Sequence, residues 1–409
     1  MDSTALRSLP AARIVAAIAD AAERWTDADF PPRVRATAAV EARLGYTTPT
    51  VEYALDRLFG GITRDALGAA IAGELGSLDA LDGPVVRPGR PAAFARGVER
   101  VTIVSSDTTI GVAIAPLVFA LCAKCAVVVK DRSDALVAAF VATLAEERPE
   151  IAAAVDVRTW TGGDPGADAD AVGDADTVVA FGGTAALAAL RARTRSDATF
   201  VPFGHRASAG YIGRSALAGD LDALAAAAAR DALLYDGDGC LSLHVLFVER
   251  TNDETLARFT RALTGACAAT MLEFPPGTRD RARQARGDAF AHAAAFRAAN
   301  GGGAAVRAPD GAWAIAIDPP PGDALPFGGG AIPVIVVDAL ADAAAYVRAA
   351  AIPLQAVGVA GAGVPPEALA VALGAVRVTP LGGMQDPPLA GHHGGRARIA
   401  DFVRWIDCE

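Results

Sequence analysis

From Val101 onward, short runs of β-branched residues alternate with Ala/Leu-rich stretches of helical length. Such alternation predicts a parallel sheet with helices packed on it. The pattern predicts strands at Val101–Val104, Ala126–Val129, Val155–Thr159, Thr177–Phe181 and Thr199–Phe203, with helices at Ile110–Cys122, Asp134–Glu146 and Thr184–Arg193 between them. A second block repeats the scheme, with helices at Asp220–Leu234, Asp253–Met271, Leu340–Ala351 and Pro366–Leu373. Its strands are expected at Leu243–Glu249, Ala314–Ile317, Ile332–Val337, Leu354–Val359 and Val376–Thr379. A last helix is expected near Ala397–Ile406. Before residue 100 the spacing is helical at Ala12–Trp25 and Val51–Phe59, followed by a Pro/Gly-rich connector at Gly83–Pro91. No repeat of fixed period runs through the chain.

Composition narrows the function classes. At 409 residues the chain has room for two or three domains, and with 52% hydrophobic residues and a mean hydropathy of +0.31 it can bury a large core. Its 47 acidic against 37 basic residues leave a net charge of −10, the wrong sign for neutralising a phosphate backbone, so no nucleic-acid partner is expected. The longest apolar run, Thr108–Ala123, is shorter than the ~20 residues of a spanning helix and contains Pro116, so it reads as a buried helix and no membrane insertion is expected. The first residues lack a basic segment followed by an apolar one, which places the protein in the cytoplasm. An odd number of cysteines, five, spread over so long a chain does not suggest a disulfide framework.

Few residues carry candidate chemistry. Cys240 sits in Asp236-Gly-Asp-Gly-Cys240-Leu-Ser-Leu-His244, where glycines permit close approach of a substrate and backbone amides can face a developing oxyanion. A small buried cysteine before a strand is the competing reading. Cys122-Ala-Lys-Cys125 could be a redox pair or half of a zinc site, but no second ligand pair accompanies it, and core packing explains it better; no metal is expected. Lys124 and Lys130 are the only lysines among 37 basic residues, and Lys130 ends a predicted strand, where ligands bind in open parallel sheets. Gly182-Gly183 precedes the helix starting at Thr184, whose amides could face an anion. His392 and His393 lie in a Gly-rich loop, and His205 and His244 at the mouths of strands.

Together these segments resemble the aldehyde dehydrogenase superfamily, and within it the acyl-CoA reductase branch, the LuxC-like fatty-acyl-CoA reductases. Leu121–Ser133 resembles the segment that ends in a cofactor-binding lysine, and Asp176–Thr184 the glycine turn beside the dinucleotide. Val201–Ile212 is similar to the strand leading to the family's Gly-Gly-Lys turn, and Asp231–Glu249 to the nucleophile segment. Leu325–Val337 keeps the family's Phe-Gly at Phe327 and Gly328, and the tail with Leu354–Gly358, Arg377 and His393–Arg396 resembles the acyl-CoA reductases.

The resemblance implies an α/β, two-domain aldehyde dehydrogenase-like fold. Residues 1–100 would form a helical lead-in packed on the cofactor domain, 101–214 a Rossmann-like NAD(P)-binding domain, 215–375 the catalytic domain, and 376–409 a tail returning to the cofactor domain. It implies reduction of an acyl-CoA to an aldehyde through a thioacyl-enzyme on Cys240, with His244 assisting proton transfer and Asp107 at the position of the family's oxyanion-holding Asn. Lys130, Ser133, Gly182, Gly183 and Thr184 would bind the cofactor, NADPH in preference to NADH, and a homo-oligomer is expected. Pro202 stands where hydrolytic relatives carry a water-activating Glu, and Leu325 where they carry a ribose-binding Glu. Two alternatives stay open: an aldehyde dehydrogenase that forms an acyl-CoA or an acid, and a non-catalytic nucleotide- or acyl-CoA-binding relative.

Overall fold

The computed structural model describes residues 3–87, 89–106, 109–131, 135–319, 325–351 and 353–409. Asp107 and Ser133 therefore lie outside the described residues. The chain divides into two compact units, one of residues 1–44, 51–205 and 388–409, the other of 45–50 and 206–387. The division falls at 205/206, before the 214/215 boundary expected from sequence, because strand Ala207–Ile212 pairs with Leu243–Glu249 and Leu354–Ala360. Likewise residues 376–387 stay with the second unit, where Val378–Pro380 extends the sheet, and only 388–409 return to the first.

In the first unit a five-stranded parallel sheet runs in the order Val155–Arg158, Ala126–Lys130, Arg100–Val104, Thr177–Phe181, Thr199–Phe203. The apolar runs that predict these strands are buried on both faces, as in Val127–Val129 and Val178–Ala180, and this is what helices on both sides of a parallel sheet require. Helix Ile114–Cys122 supplies one such layer and is buried at eight of its nine positions. It begins four residues after the expected start at Ile110, because Gly111, at φ +62°, turns the chain against Leu58.

Two stretches of this unit differ from expectation. The Gly83–Pro91 connector is a hairpin, Val85–Arg87 against Arg90–Gly97. The predicted helix near Ala397–Ile406 is a short 3₁₀ turn, Ala400–Phe402, followed by strand Val403–Cys408, which pairs antiparallel with Arg90–Gly97 from Val403↔Gly97 to Cys408↔Ala92. Backbone pairing with a partner more than 300 residues earlier decides this segment, and local spacing carries no trace of it.

The second unit is built on a seven-stranded sheet in the order Ala304–Arg307, Ala314–Ile317, Ala331–Val337, Leu243–Glu249, Ala207–Ile212, Leu354–Ala360, Val378–Pro380. All neighbours are parallel except the first pair. Helix Arg281–Ala299 was not anticipated: it buries only Ala291 and Ala294, too narrow a stripe to give an apolar period. The single segment Val201–Ile212 proves to be the ends of two strands of different sheets, separated at Gly204–Arg206.

Candidate active site

Cys240 is presented by a turn at the amino end of strand Leu243–Glu249. Three successive residues before it, Tyr235, Asp236 and Gly237, have left-handed backbones (φ 59°, 57° and 72°), a strained path for the first two. Buried charge holds that path. The Arg279 guanidinium grips the Asp236 carboxylate with Nε at 2.8 Å and Nη2 at 2.6 Å, and donates to the Ala312 carbonyl at 2.5 Å. Arg283 pairs with Asp238 at 2.7 Å. Gly328, at φ +73°, donates its N–H to the Gly237 carbonyl, and a side chain there would put Cβ 2.0 Å from the Asp238 carboxylate.

The turn closes when Ser242 N–H donates to the Gly239 carbonyl at 2.9 Å. Ser208 Oγ donates to the Cys240 carbonyl at 2.7 Å and accepts from Ala356 N–H, tying the turn to two further strands. The Cys240 side chain is exposed. Enclosure by protein beyond its open side still raises the thiol above its ordinary value, and the backbone amide of Cys240, the charge of Arg206 and the amide of Leu241 act against this. Direct contact with water and the dense shell around it are two separate properties of this side chain. The amides that ease thiolate formation are also the groups an oxyanion at the attacked carbonyl would need.

His244 is 2% exposed. Its Nδ1 accepts the Ser208 N–H at 3.1 Å, so the neutral ring carries its proton on Nε2, which is buried with no hydrogen-bond partner of good geometry among the described residues. Burial pushes the ring down to about 4, and its face packs on Phe327 with centroids 4.4 Å apart. The ring is neutral at physiological pH.

In the first unit the strand order reverses between Arg100–Val104 and Thr177–Phe181, and the crevice at the carboxyl ends of two such strands is where open α/β sheets bind ligands. Gly182, Gly183 and Thr184 follow one of these strands directly, and the helix starting at Thr184 has no side-chain cap on its first amides. Lys130 ends the neighbouring strand and is 3% exposed. Its Nζ lies 4.6 Å from the ring centroid of Trp160, and its carbonyl accepts from Ser105 Oγ. His393 of the returning tail stacks on Phe203 at 4.2 Å, and Phe203 on Phe181 at 4.8 Å, so the loop histidine belongs to the same strand ends.

Cys122 and Cys125 are fully buried and burial raises both thiols, Cys122 to about 12, so they are core residues and not a redox pair. Among the described residues no group of three or more His, Cys, Asp or Glu side chains could hold a metal ion, and no helix is long and apolar enough to cross a membrane. Sequence reading missed Arg279, Arg283, Ser208, Asp231 and Gln385, which surround the nucleophile turn. Ser208 and Asp231 lie inside segments already noted, but Arg279, Arg283 and Gln385 come from distant segments without a motif of their own, and only burial as polar groups marks all five.

The acyl-CoA reductase (LuxC) family profile matches residues 6–405. The chain belongs to that family. It is accordingly an oxidoreductase that reduces an acyl-CoA thioester to an aldehyde, and its fold is that of the aldehyde dehydrogenases. An NAD-dependent benzaldehyde dehydrogenase from Corynebacterium glutamicum superposes with a TM-score of 0.72 at 17% identity, over 99% of this chain and 87% of that one. An NADP-dependent enzyme from E. coli gives 0.74 at 15% identity over 98% and 86%, and an oxidoreductase from Marinobacter aquaeolei 0.74 at 14% over 97% and 84%. No curated protein sequence matches the chain.

Proposed function

We propose that this acyl-CoA reductase uses Cys240 as its nucleophile, NADPH as its reductant, and the strand ends bearing Lys130 and Gly182-Gly183-Thr184 as its dinucleotide site. The observation that carries the reading is an exposed cysteine on a turn braced by buried Asp–Arg pairs, its thiol eased toward thiolate by the turn's own amides. The Cys240 thiolate adds to the thioester carbonyl, the oxyanion forms against backbone N–H groups, and the C–S bond to coenzyme A breaks to leave a thioacyl-enzyme.

A bound reduced nicotinamide would supply a hydride to the thioacyl carbonyl, and the oxyanion so formed on Cys240 would collapse to the aldehyde as the C–S bond breaks and the sulfur leaves as thiolate. The uncapped amides at Thr184 and the buried Lys130 ammonium suit the negative phosphates of such a cofactor, which supports the fit of this group to these residues.

His244 enters as a neutral, proton-bearing ring that fixes the Ser208 amide beside the turn. Pro202, exposed on the edge strand Thr199–Phe203, offers no base for water, so the thioacyl group exchanges with a thiol in preference to hydrolysis. The reading includes a cytoplasmic homo-oligomer joined along strand Val403–Cys408, an edge strand exposed at five of its six residues.

Absorbance decay of NADPH or NADH with acyl-CoAs of graded length tests the proposal. Oxidation should depend on acyl-CoA and fall to background in Cys240→Ala. Full activity in that variant would remove the thioacyl mechanism.

A further inference from the structure

Beneath the nucleophile turn runs a segment without regular structure, residues 381–387, that is locked from both sides by charge. Arg377 donates to the carbonyls of Met384 at 2.7 Å, Gly383 at 2.9 Å and Asp386 at 3.4 Å. The fully buried Asp231 carboxylate accepts from the amides of Gly382 at 2.6 Å and Met384 at 3.0 Å. Met384 fills the space that Gly358 leaves open, where an added Cβ would meet its sulfur at 2.6 Å. Burying a guanidinium and a carboxylate costs several kcal/mol unless their hydrogen bonds are made, so so many groups spent on one loop indicate that its placement matters.

What the loop delivers is Gln385. Its Nε2 donates to Ser242 Oγ at 3.0 Å and to the Asp231 carbonyl at 3.3 Å; both act as acceptors, which fixes the orientation of the amide. Ser242 is fully buried, and its N–H closes the Gly239–Ser242 turn that contains Cys240 and Leu241. Gly239 leaves no slack: an added Cβ would lie 3.3 Å from Ser242 Oγ and 4.0 Å from Gln385 Oε1.

We infer that Gln385 is a positioning residue for Cys240, holding through Ser242 the turn whose amides face the thiol. This rests on the nucleophile reading above. Without the Gln385 donor, the Ser242 hydroxyl is left buried with one partner fewer, and the turn is free to swing its amides off the sulfur. Arg206 is the charged group that faces the thiol and is untouched by the change.

The test is the pH dependence of Cys240 alkylation by iodoacetamide in a Cys408→Ser background, for Gln385→Glu, Gln385→Ala, Ser242→Ala and the Gln385→Glu/Ser242→Ala double variant. Gln385→Glu keeps the size of the side chain and exchanges the amide donor for a carboxyl whose charge also acts on the thiol, so the uncharged Gln385→Ala and Ser242→Ala variants separate positioning from charge. Loss of one such hydrogen bond predicts roughly a three- to tenfold slower alkylation near pH 8, a profile displaced to higher pH, and a double variant no slower than either single one. Dinucleotide affinity should not move.

A folded Gln385→Glu protein that alkylates with the unchanged rate and profile overturns the inference. If Gln385→Ala does not fold, the isosteric and Ser242 variants decide it. Slowed alkylation together with full reductase activity in Cys240→Ala would keep the positioning role and remove the nucleophile reading, so the two failures are told apart.

Discussion

Arg279 holds Asp236 in a two-nitrogen fork with both side chains under 10% exposed, four residues before Cys240. The pair fixes the left-handed backbone at Asp236, a conformation that Asp adopts more readily than most residues but still at some cost. Removing one partner of a buried ion pair leaves the other charge uncompensated, which costs about 3–5 kcal/mol. Arg279→Leu should lower the stability of the second unit by that amount in urea unfolding. A loss below about 1 kcal/mol would mean that the fork is not what holds the turn.

His244 and Asp231 make opposed contributions to stability against pH. The His244 ring is pushed by burial from its ordinary 6.5 to about 4, so its contribution is present above 6.5 and lost as pH falls through about 4. Burial raises the Asp231 carboxyl from 3.8 to about 6, against the amides of Gly382 and Met384, so its contribution is present below 3.8 and lost as pH rises through about 6. Each window is worth on the order of 3 kcal/mol, and the two nearly cancel. Relative to wild type, His244→Gln should gain stability between pH 6.5 and 4.5 and Asp231→Asn should lose it. Parallel curves for all three proteins in thermal unfolding would contradict both assignments.

Cysteine reactivity should separate into two classes. Cys240 and Cys408 are exposed, whereas Cys122, Cys125 and Cys267 are buried with their thiols raised. Native titration with a thiol reagent should label the exposed pair, and denaturant should release the other three. Rapid native labelling of Cys122 or Cys125, or zinc retained through dialysis, would revive the metal or redox reading of the Cys-x-x-Cys segment.

The division between what the sequence shows and what it hides follows range of interaction. Thr177–Phe181, Leu243–Glu249 and Ala314–Ile317 are legible because both faces of each are buried, so an unbroken apolar run marks them. Val403–Cys408 is exposed nearly throughout and exists through its pairing with Arg90–Gly97. Cys240, Lys130 and the Gly182 turn stand out as candidates because glycines and a rare lysine flag them. The arginines and the glutamine around Cys240 do not, since nothing distinguishes Arg279 from the many other arginines until its partner is in place.

Gly97 tests the least legible part. It lies in the strand that Val403–Cys408 joins, and an added Cβ would sit 1.8 Å from the Ala123 carbonyl oxygen and 3.3 Å from Cys125 Sγ. Both are buried and neither is the far end of a flexible side chain, so relief requires moving backbone. Gly97→Ala should cost more than about 3 kcal/mol, well above the typical value for a point substitution, and should free the tail for limited proteolysis after Phe402. A variant with wild-type melting and an uncut tail would mean the hairpin adjusts freely.

Lys130 offers the sharpest check on the dinucleotide site. Its ammonium is buried over the Trp160 ring, and the indole Nε1 is itself held by Asp168 at 2.7 Å, so the platform under the charge is fixed. Gly162 borders the same space, with an added Cβ 3.9 Å from Nζ. Lys130→Met should therefore raise the KM for NADPH at least about tenfold, the value of one charged hydrogen bond, while kcat at saturating cofactor changes little. Lys130→Arg keeps the charge and a planar group that stacks on an indole face, so it should restore part of the loss, short of wild type where the ammonium's compact geometry is needed. Restoration of wild-type KM by arginine would show that charge alone is read at this position, and an unchanged KM in Lys130→Met would move the dinucleotide away from it.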